Sequence, residues 1–414
     1  FFLNKKPVIK YVGLSDVVVN LGRNDSVWNY QFLADYFSSP ASKTKKSNPV
    51  EFDIKVIELK NIRFNKTDGW IGQDLKGFIS KLDLTADNFD FKNKNIVINN
   101  VNLDGPQFSL NDYTGNRPSP ALQNTVTRNK DTASLQWNSG DWKISVAKIT
   151  LTNGQFRNDR ETARGAYTDR FDGEHFIFGK INGELKNILF IKDSITANIK
   201  LSTREKSGFE VKQLVAAMKI TPTLMEFNEL DIVTDKSRIG NYYAMRYKNF
   251  NADMGNFLHS VKLEGNFNKS KIHSDDIAFF APELKPWNRV INFSGLAKGS
   301  IDNLAANDFT LQSDNTTIKG DISMKGLPDI YITFIDFKSD GLQTNYNDLV
   351  KLVPGLQRIG QQQFRSLGNI FFKGKFTGFI KDFVAYGNIN TSIGNLNADV
   401  NMKLPDNKLA TYSG

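Results

Sequence analysis

A chain of 414 residues with no cysteine has no disulfide framework, thiol nucleophile or cysteine metal site available to it. Its 53 Lys and Arg against 44 Asp and Glu leave a net charge of +9, yet the two signs mix along nearly every segment. That mixture describes a solvated face and excludes the clustered, aromatic-interleaved cations of a nucleic-acid groove; no run approaches the length of a membrane-spanning helix.

The first element in chain order is a strand signature that returns three times. It reads Val12-Gly-Leu14-Ser-Asp16-Val17-Val18-Val19, then Ile57-Glu-Leu59-Lys-Asn61-Ile62-Arg63-Phe64. Val101-Asn-Leu103-Asp-Gly105-Pro-Gln-Phe108 and Ile149-Thr-Leu151-Thr-Asn153-Gly154-Gln-Phe156 complete the set. The leucines stand 45, 44 and 48 residues apart, a period that marks an array of stacked units and points away from a compact catalytic domain. Between the first two copies, Asp25 or Ser26 caps an expected helix carrying Trp28, Phe32 and Phe37 on one face. A Ser/Pro/Lys stretch from Ser38 to Pro49, with Lys43, Lys45 and Lys46, reads as a loop.

From Ile195 onward, period-two alternation dominates. Ile195, Ala197, Ile199 and Leu201 alternate with Thr196, Asn198, Lys200 and Ser202, and the same pattern covers 261–267, 291–301, 318–324, 370–380 and 396–404. Asp104-Gly105-Pro106, Asn153-Gly154 and Asn182-Gly183 mark turns or bulges. A second repeat matches 291–301 to 370–380, with a shorter copy at 261–267. Its glycines (Gly265, Gly295, Gly299, Gly374 and Gly378) fall in phase with apolar residues, which requires strong curvature of the sheet. Ser274-Asp275-Asp276 opens a short helix ending before Pro282, and 345–367 places Leu349, Leu352, Val353, Leu356 and Ile359 at helical spacing with a kink at Pro354.

The three histidines, His175, His259 and His273, are scattered, and no nucleophile elbow, phosphate loop or dinucleotide fingerprint is present. The acidic pair Asp275/Asp276 reads as an N-cap. The sequence therefore gives no support to an enzyme, and no cofactor is expected.

Longer blocks carry a family likeness. Asp25-Ser-Val-Trp28-Asn-Tyr30-Gln-Phe32, Glu58-Leu59-Lys-Asn61-Ile62-Arg-Phe64 and Asp275-Asp-Ile277-Ala-Phe279-Phe280-Ala-Pro282-Glu283-Leu284 are among them. So are Leu327-Pro328-Asp329 with Phe334-Ile335-Asp336, and Gly378-Phe379-Ile380-Lys381-Asp382-Phe383. Together they resemble the TamB (translocation and assembly module) proteins of Bacteroidota, within the AsmA-like, bridge-like lipid-transfer superfamily of repeating β-grooves. The resemblance implies an all-β-dominated chain: an elongated, strongly curved antiparallel sheet of U-shaped section, interrupted by a few short helices. It would form one continuous array, with repeated units over 1–160 and a helix near 25–38. The groove would continue over 161–414, with helices near 274–284 and 345–367.

The implied function is a segment of a periplasm-spanning bridge that carries phospholipid between inner and outer membranes. The implied surroundings are an inner-membrane anchor ahead of this segment and an Omp85-type, TamA-like outer-membrane barrel reached by a region outside it. Beginning Phe1-Phe2-Leu3 and ending Tyr412-Ser413-Gly414, the chain reads as a piece of something longer. Alternation selects the lining of such a groove: Ile195, Ile199, Leu201, Val261, Leu263, Phe267, Ile291, Phe293, Ile370, Phe372 and Phe376. The same alternation also fits a closed core between two sheets, as in a structural or adhesive β-array. A scaffold assisting the assembly of outer-membrane barrels by strand addition is a third reading. Asp25-Ser26-Val27, Asp131-Thr132-Ala133 and Asp193-Ser194-Ile195 match the O-glycosylation sequon of periplasmic Bacteroidota proteins, which nominates Ser26, Thr132 and Ser194.

Overall fold

The computed structural model describes residues 8–32, 51–118, 136–352, 365–403 and 411–414. Strand makes up 67% and helix 8%, so the expectation of a strand-dominated chain with a few short helices is borne out. Two compact units meet in the sequence at Leu214 and Val215. Thr132, Phe37, Pro354, Leu404 and the lysines of 43–46 lie outside the described residues.

In the first unit, β1 (Val8–Ser15) and β2 (Val18–Arg23) are two halves of one broken strand. They run parallel to successive halves of β3 (Glu51–Asp68). β4 (Gln73–Asp90) pairs antiparallel with β3 on one side and with a second broken strand, β5 (Asn95–Asp104) and β6 (Gln107–Asp112), on the other. That broken strand runs parallel to β7 (Lys143–Arg160), and β8 (His175–Ile191) and β9 (Ser194–Glu205) follow antiparallel. The parallel pairs are not announced by the sequence. They need long connections, which the intervals 24–50 and 113–142 supply.

The repeated signature is the register of this unit. Leu14, Leu59, Leu82, Leu103 and Leu151 stand opposite one another in one cross-strand rung. A second rung runs Val19, Phe64, Gly77, Phe108, Phe156 and Phe178. In a regular strand, an odd spacing of five would put leucine and phenylalanine on opposite faces. The residue two places after each leucine resolves this: Asp16, Asn61, Gly105 and Asn153 have φ of 58°, 53°, 56° and 51°. Each left-handed residue breaks the alternation and brings both apolar positions to one face. Asp, Asn and Gly fill the position because they tolerate that conformation best. The glycine-containing steps at 104–106 and 153–154 are thus bulges on this line and not strand-ending turns.

The second unit is an antiparallel meander. Its strands are β11 (Leu224–Thr234), β12 (Arg238–Arg246), β13 (Lys262–His273), β14 (Val290–Ser300), β15 (Asn303–Ser313), β16 (Thr316–Lys325), β17 (Phe334–Asn345), β18 (Asn369–Phe379), β19 (Asp382–Thr391) and β20 (Gly394–Lys403). β10 (Glu210–Thr221) carries the boundary between units, and β21 (Thr411–Ser413) pairs with β20. Each strand from β11 to β20 pairs with the next. From β13 to β17, register shifts recur at one height, beside Phe267, Ser294, Phe309, Gly320 and Ser339. Bulges aligned in this way bend every strand at the same level.

Among the described residues no phenylalanine is buried, and the buried apolar side chains are mostly Ala and Val. A two-sheet sandwich would enclose its aromatics between the layers. Here the phenylalanines are instead half-buried or exposed in both units.

The helices are short. α1 (Phe250–Gly255) is capped by the Asn249 side chain, and α2 (Phe257–Ser260) leads into buried Val261. α3 (Ser274–Ile277) precedes a 3₁₀ turn at Pro282–Trp287, and α4 (Tyr346–Leu352) falls within the expected 345–367 helix, of which 353–364 lie outside the described residues. The expected acidic cap of α3 is overturned: the His273 ring accepts from the Asp275 backbone N–H. Asp275 instead pairs with Lys236, while Asp276 accepts from the hydroxyls of Thr234 and Ser237. Asp25 accepts from the Val27 N–H at 2.8 Å and opens a tight turn, and Trp28 lies beneath the Arg23 guanidinium at 4.6 Å.

Candidate functional site

Each unit holds an apolar concavity on its bend line. The one in the second unit has a volume of about 510 Å³. It is lined by Ile272, Ile291, Phe293, Leu311 and Ile318 on one side of the bend, by Leu296, Ala297, Ala306, Ile322, Met324 and Phe337 on the other, and by Phe267 opposite Gly295. Phe309 and Gly295 lie at the bend itself. Ser294 and Thr310 are the polar lining residues, and no titratable side chain reaches it.

Cross-strand register builds this surface. One rung runs Phe293, Leu311, Ile318, Leu342, Phe372, Ile389 and Leu396, and another runs Ala297, Ala306, Ile322, Phe337, Phe376, Ala385 and Val400. Small residues between the large ones leave the depression open. Aromatic contacts stiffen its walls: Phe267 and Phe293 lie 5.2 Å apart between ring centres and Phe309 and Phe337 6.1 Å; farther along the second rung Phe376 and Phe383 lie 4.8 Å apart.

The first unit's concavity, about 330 Å³, is lined by Ile62, Phe64, Leu103, Phe108, Leu151 and Ile181, with Gly77 and Gly154 at its base. Phe64, Leu103, Phe108 and Leu151 hold the leucine and phenylalanine places of the repeated signature, so the repeat that sets the register also supplies the lining. Phe108 stacks on Phe156 at 5.8 Å.

A larger concavity in the first unit, about 760 Å³, is polar. It gathers Arg63, Lys76, Arg157 and Arg160 with Asp74, Asp159 and Glu161. Within it Arg157 pairs with Asp159, and His175 approaches the same carboxylate at 3.4 Å. Tyr113, pushed up to about 12 by burial, donates to Asp74 at 2.9 Å. The backbone N–H of Thr114 holds the Glu161 carboxyl below the usual carboxylate range. Size favours this cavity, but its mixture of four cations and three carboxylates marks it as a solvated face, whereas the 510 Å³ concavity has the apolar walls of a ligand site. Among the described residues no cluster of His, Cys, Asp or Glu could hold a metal ion.

Nine of the eleven alternation-selected residues are half-buried: Ile195, Leu201, Leu263, Phe267, Ile291, Phe293, Ile370, Phe372 and Phe376. Phe267, Ile291 and Phe293 line the 510 Å³ concavity directly, while Phe372 and Phe376 extend its rungs. Ile195, Ile199 and Leu201 stand opposite Phe190, Leu185 and Gly183 in the first unit. Ile199 is only 4% exposed, and Val261 is fully covered at the exit of α2, outside the strand, so neither presents a lining surface. Leu311, Ile318, Ile322, Phe309 and Phe337 complete the wall. Their signal was the same alternation, carried by strands that hold no copy of the glycine repeat.

Ser26 is exposed in its turn. Ser194 begins β9 and is half-buried, beside an Asp193 that is already engaged. The Asp193 carboxylate accepts from the N–H groups of Gln136, Trp137 and Asn138 at 2.7–3.0 Å, which pins that segment to the β8–β9 turn.

Comparison of the chain with family models, with curated proteins and with solved structures finds no match.

Proposed function

We propose that the apolar concavities hold the acyl chains of phospholipid, and that the chain is a segment of a bridge carrying lipid between the inner and outer membranes of a periplasm. The resemblance to TamB proteins motivates the cellular setting, with an anchor ahead of the segment and an Omp85-type barrel beyond it. The observation that carries the lipid reading is the 510 Å³ concavity, whose lining has two hydroxyls and no titratable group. Such a surface solvates hydrocarbon and leaves a charged headgroup in water at the open side. Exposing a ~16-carbon tail costs on the order of 13 kcal/mol at about 0.8 kcal/mol per methylene, so the barrier to carrying it falls in proportion to the methylenes covered. A transported lipid needs no stereospecific grip, which agrees with a lining built from rungs of like residues.

The test is native mass spectrometry with lipid extraction on the purified, folded chain. Phospholipid of mixed headgroup is expected to co-purify, and Phe293→Asp, which places a charge in the wall, is expected to lower lipid occupancy by at least about tenfold, the equivalent of ~1.4 kcal/mol. A folded, lipid-free wild-type protein would sink the proposal. Unchanged occupancy in a folded Phe293→Asp variant would remove this concavity from it.

A further inference from the structure

The polar 760 Å³ cavity of the first unit is solvated, but its charges are not evenly spread. Arg63, Lys76, Ser109 and Arg157 alternate along their strands with Phe64, Gly77, Phe108 and Phe156. They therefore stand on the face opposite the apolar rung of the repeated signature.

Register sorts the charges into two ends. One rung runs Asp74, Asn111, Asp159 and His175, and holds two of the three carboxylates. The third, Glu161, lies just past the end of β7, beside Arg160. The next rung on the same face runs Asn65, Lys76, Ser109 and Arg157, and the one after it Arg63, Phe78, Gln107 and Gln155. These two rungs carry three cations and no carboxylate.

The acidic end does little to answer them. Asp74 accepts from the Tyr113 hydroxyl and Glu161 from the Thr114 N–H at 2.8 Å, both neutral donors. Arg157 reaches back to Asp159. Among the described residues, Arg63 and Lys76 form no ion pair. The Arg63 guanidinium lies 4.8 Å over the Phe78 ring, which fixes its direction without neutralising it. The side chains of Ser109, Gln107 and Gln155 have no hydrogen-bond partner among the described residues. Lys76 and Arg157 flank Ser109 at two strand spacings, about 10 Å, a gap that two long side chains can close around one small anion.

The geometry points to a phosphate-binding site at this end of the cavity. Lys76 and Arg63 are its cations, and Ser109 is a neutral hydrogen-bond donor between the strands. A phosphate group is compact and spreads its charge over several acceptor oxygens, so it takes lysine, arginine and hydroxyl donors together. The inference does not rest on the lipid reading, because the site lies on the face away from the apolar concavity.

The experiment titrates inorganic phosphate into the folded chain at fixed ionic strength and follows backbone amide NMR shifts. Saturable shifts are expected at 74–78, 107–111 and 155–159. Lys76→Gln and Arg63→Gln are each expected to weaken binding by about fivefold, the upper range for an exposed charge pair. Both side chains are exposed, so the variants should keep the wild-type denaturation midpoint. Lys148→Gln removes the same charge about 30 Å along β7 from Arg157, beyond a Debye length, and should leave the affinity unchanged. A flotation assay with phosphatidylcholine vesicles, with and without phosphatidylglycerol, identifies the source. Lys76-dependent capture by the anionic vesicles would assign the phosphate to a headgroup, and saturable shifts without capture would assign it to a soluble molecule. No saturable shifts, or equal weakening by Lys148→Gln, would overturn the proposal.

Discussion

The two units solve one geometric problem with different residues. Both place a line of breaks at a common height across neighbouring strands, and an apolar concavity lies on that line. In the first unit the bend is made by Asp16, Asn61, Gly105 and Asn153 in left-handed conformation, on strands repeated in parallel register. In the second it runs through a line of small residues, Gly295, Gly320, Ser339, Gly374 and Gly387, on an antiparallel meander. A left-handed Asn keeps a side chain that can bond across the bend, as Asn61 does to Asp16 at 2.9 Å. A glycine instead lets the neighbouring backbone close in. The first unit's line is therefore tunable by side chain, and the second's is sterically locked.

The sharpest way to break this contrast is Gly320→Ala. Gly320 has φ of 150°, and an added Cβ would lie 1.9 Å from the Lys338 carbonyl oxygen. Loss of ~3 kcal/mol or more is expected, as a lower denaturation midpoint with faster hydrogen exchange across 290–345. A variant as stable as wild type would show that the line is not locked.

A smaller effect separates the units by their acid response. Between β7 and β8, the buried Asp172 carboxylate accepts two bonds from Arg164 at 2.8 Å, with further bonds from the N–H groups of Tyr167 and Glu174. The Arg164 guanidinium, helped by those N–H groups, holds its pKa well below the usual carboxylate range. A folded-state value below the unfolded one, about 3.9, means the stabilisation is fully present above roughly pH 4. It drains away as acid titrates the folded carboxylate. Asp172→Asn is expected to cost ~2 kcal/mol at neutral pH and to flatten the acid limb of the first unit's stability curve. An unchanged acid limb would remove Asp172 as its source.

The smallest effect is the one that defines the contrast. Asn61→Ala is expected to cost ~1 kcal/mol, because alanine pays for the left-handed conformation and loses the bond to Asp16. Asn61→Gly should be close to neutral. If glycine cost as much as alanine, the hydrogen bond and not the backbone would set the bend.

Much of this was legible in the residues. The leucine signature, its period and the in-phase glycines are visible by inspection, and alternation found Phe267, Ile291 and Phe293. The odd spacing from leucine to phenylalanine already implied a bulge, since two apolar positions five apart share a face only if the alternation is broken between them. Parallel pairing was not legible, because nothing local in Leu14 or Leu59 records which strand lies beside it. Val261 misled for the same reason: it keeps the parity of Leu263 but stops short of the strand, fully buried at the end of α2. The cap of α3 escaped because a histidine ring acceptor is rarer than the carboxylates that follow it.

The ladder of left-handed residues also governs how such a chain changes length. A duplicated pair of antiparallel strands carries its own bend with it, so growth by hairpins adds span while leaving the cross-section untouched. In the second unit's antiparallel meander, loss of a single strand would reverse the direction of every strand after it. Length is thus a variable that inheritance can alter in even steps, at little cost to the profile the chain presents.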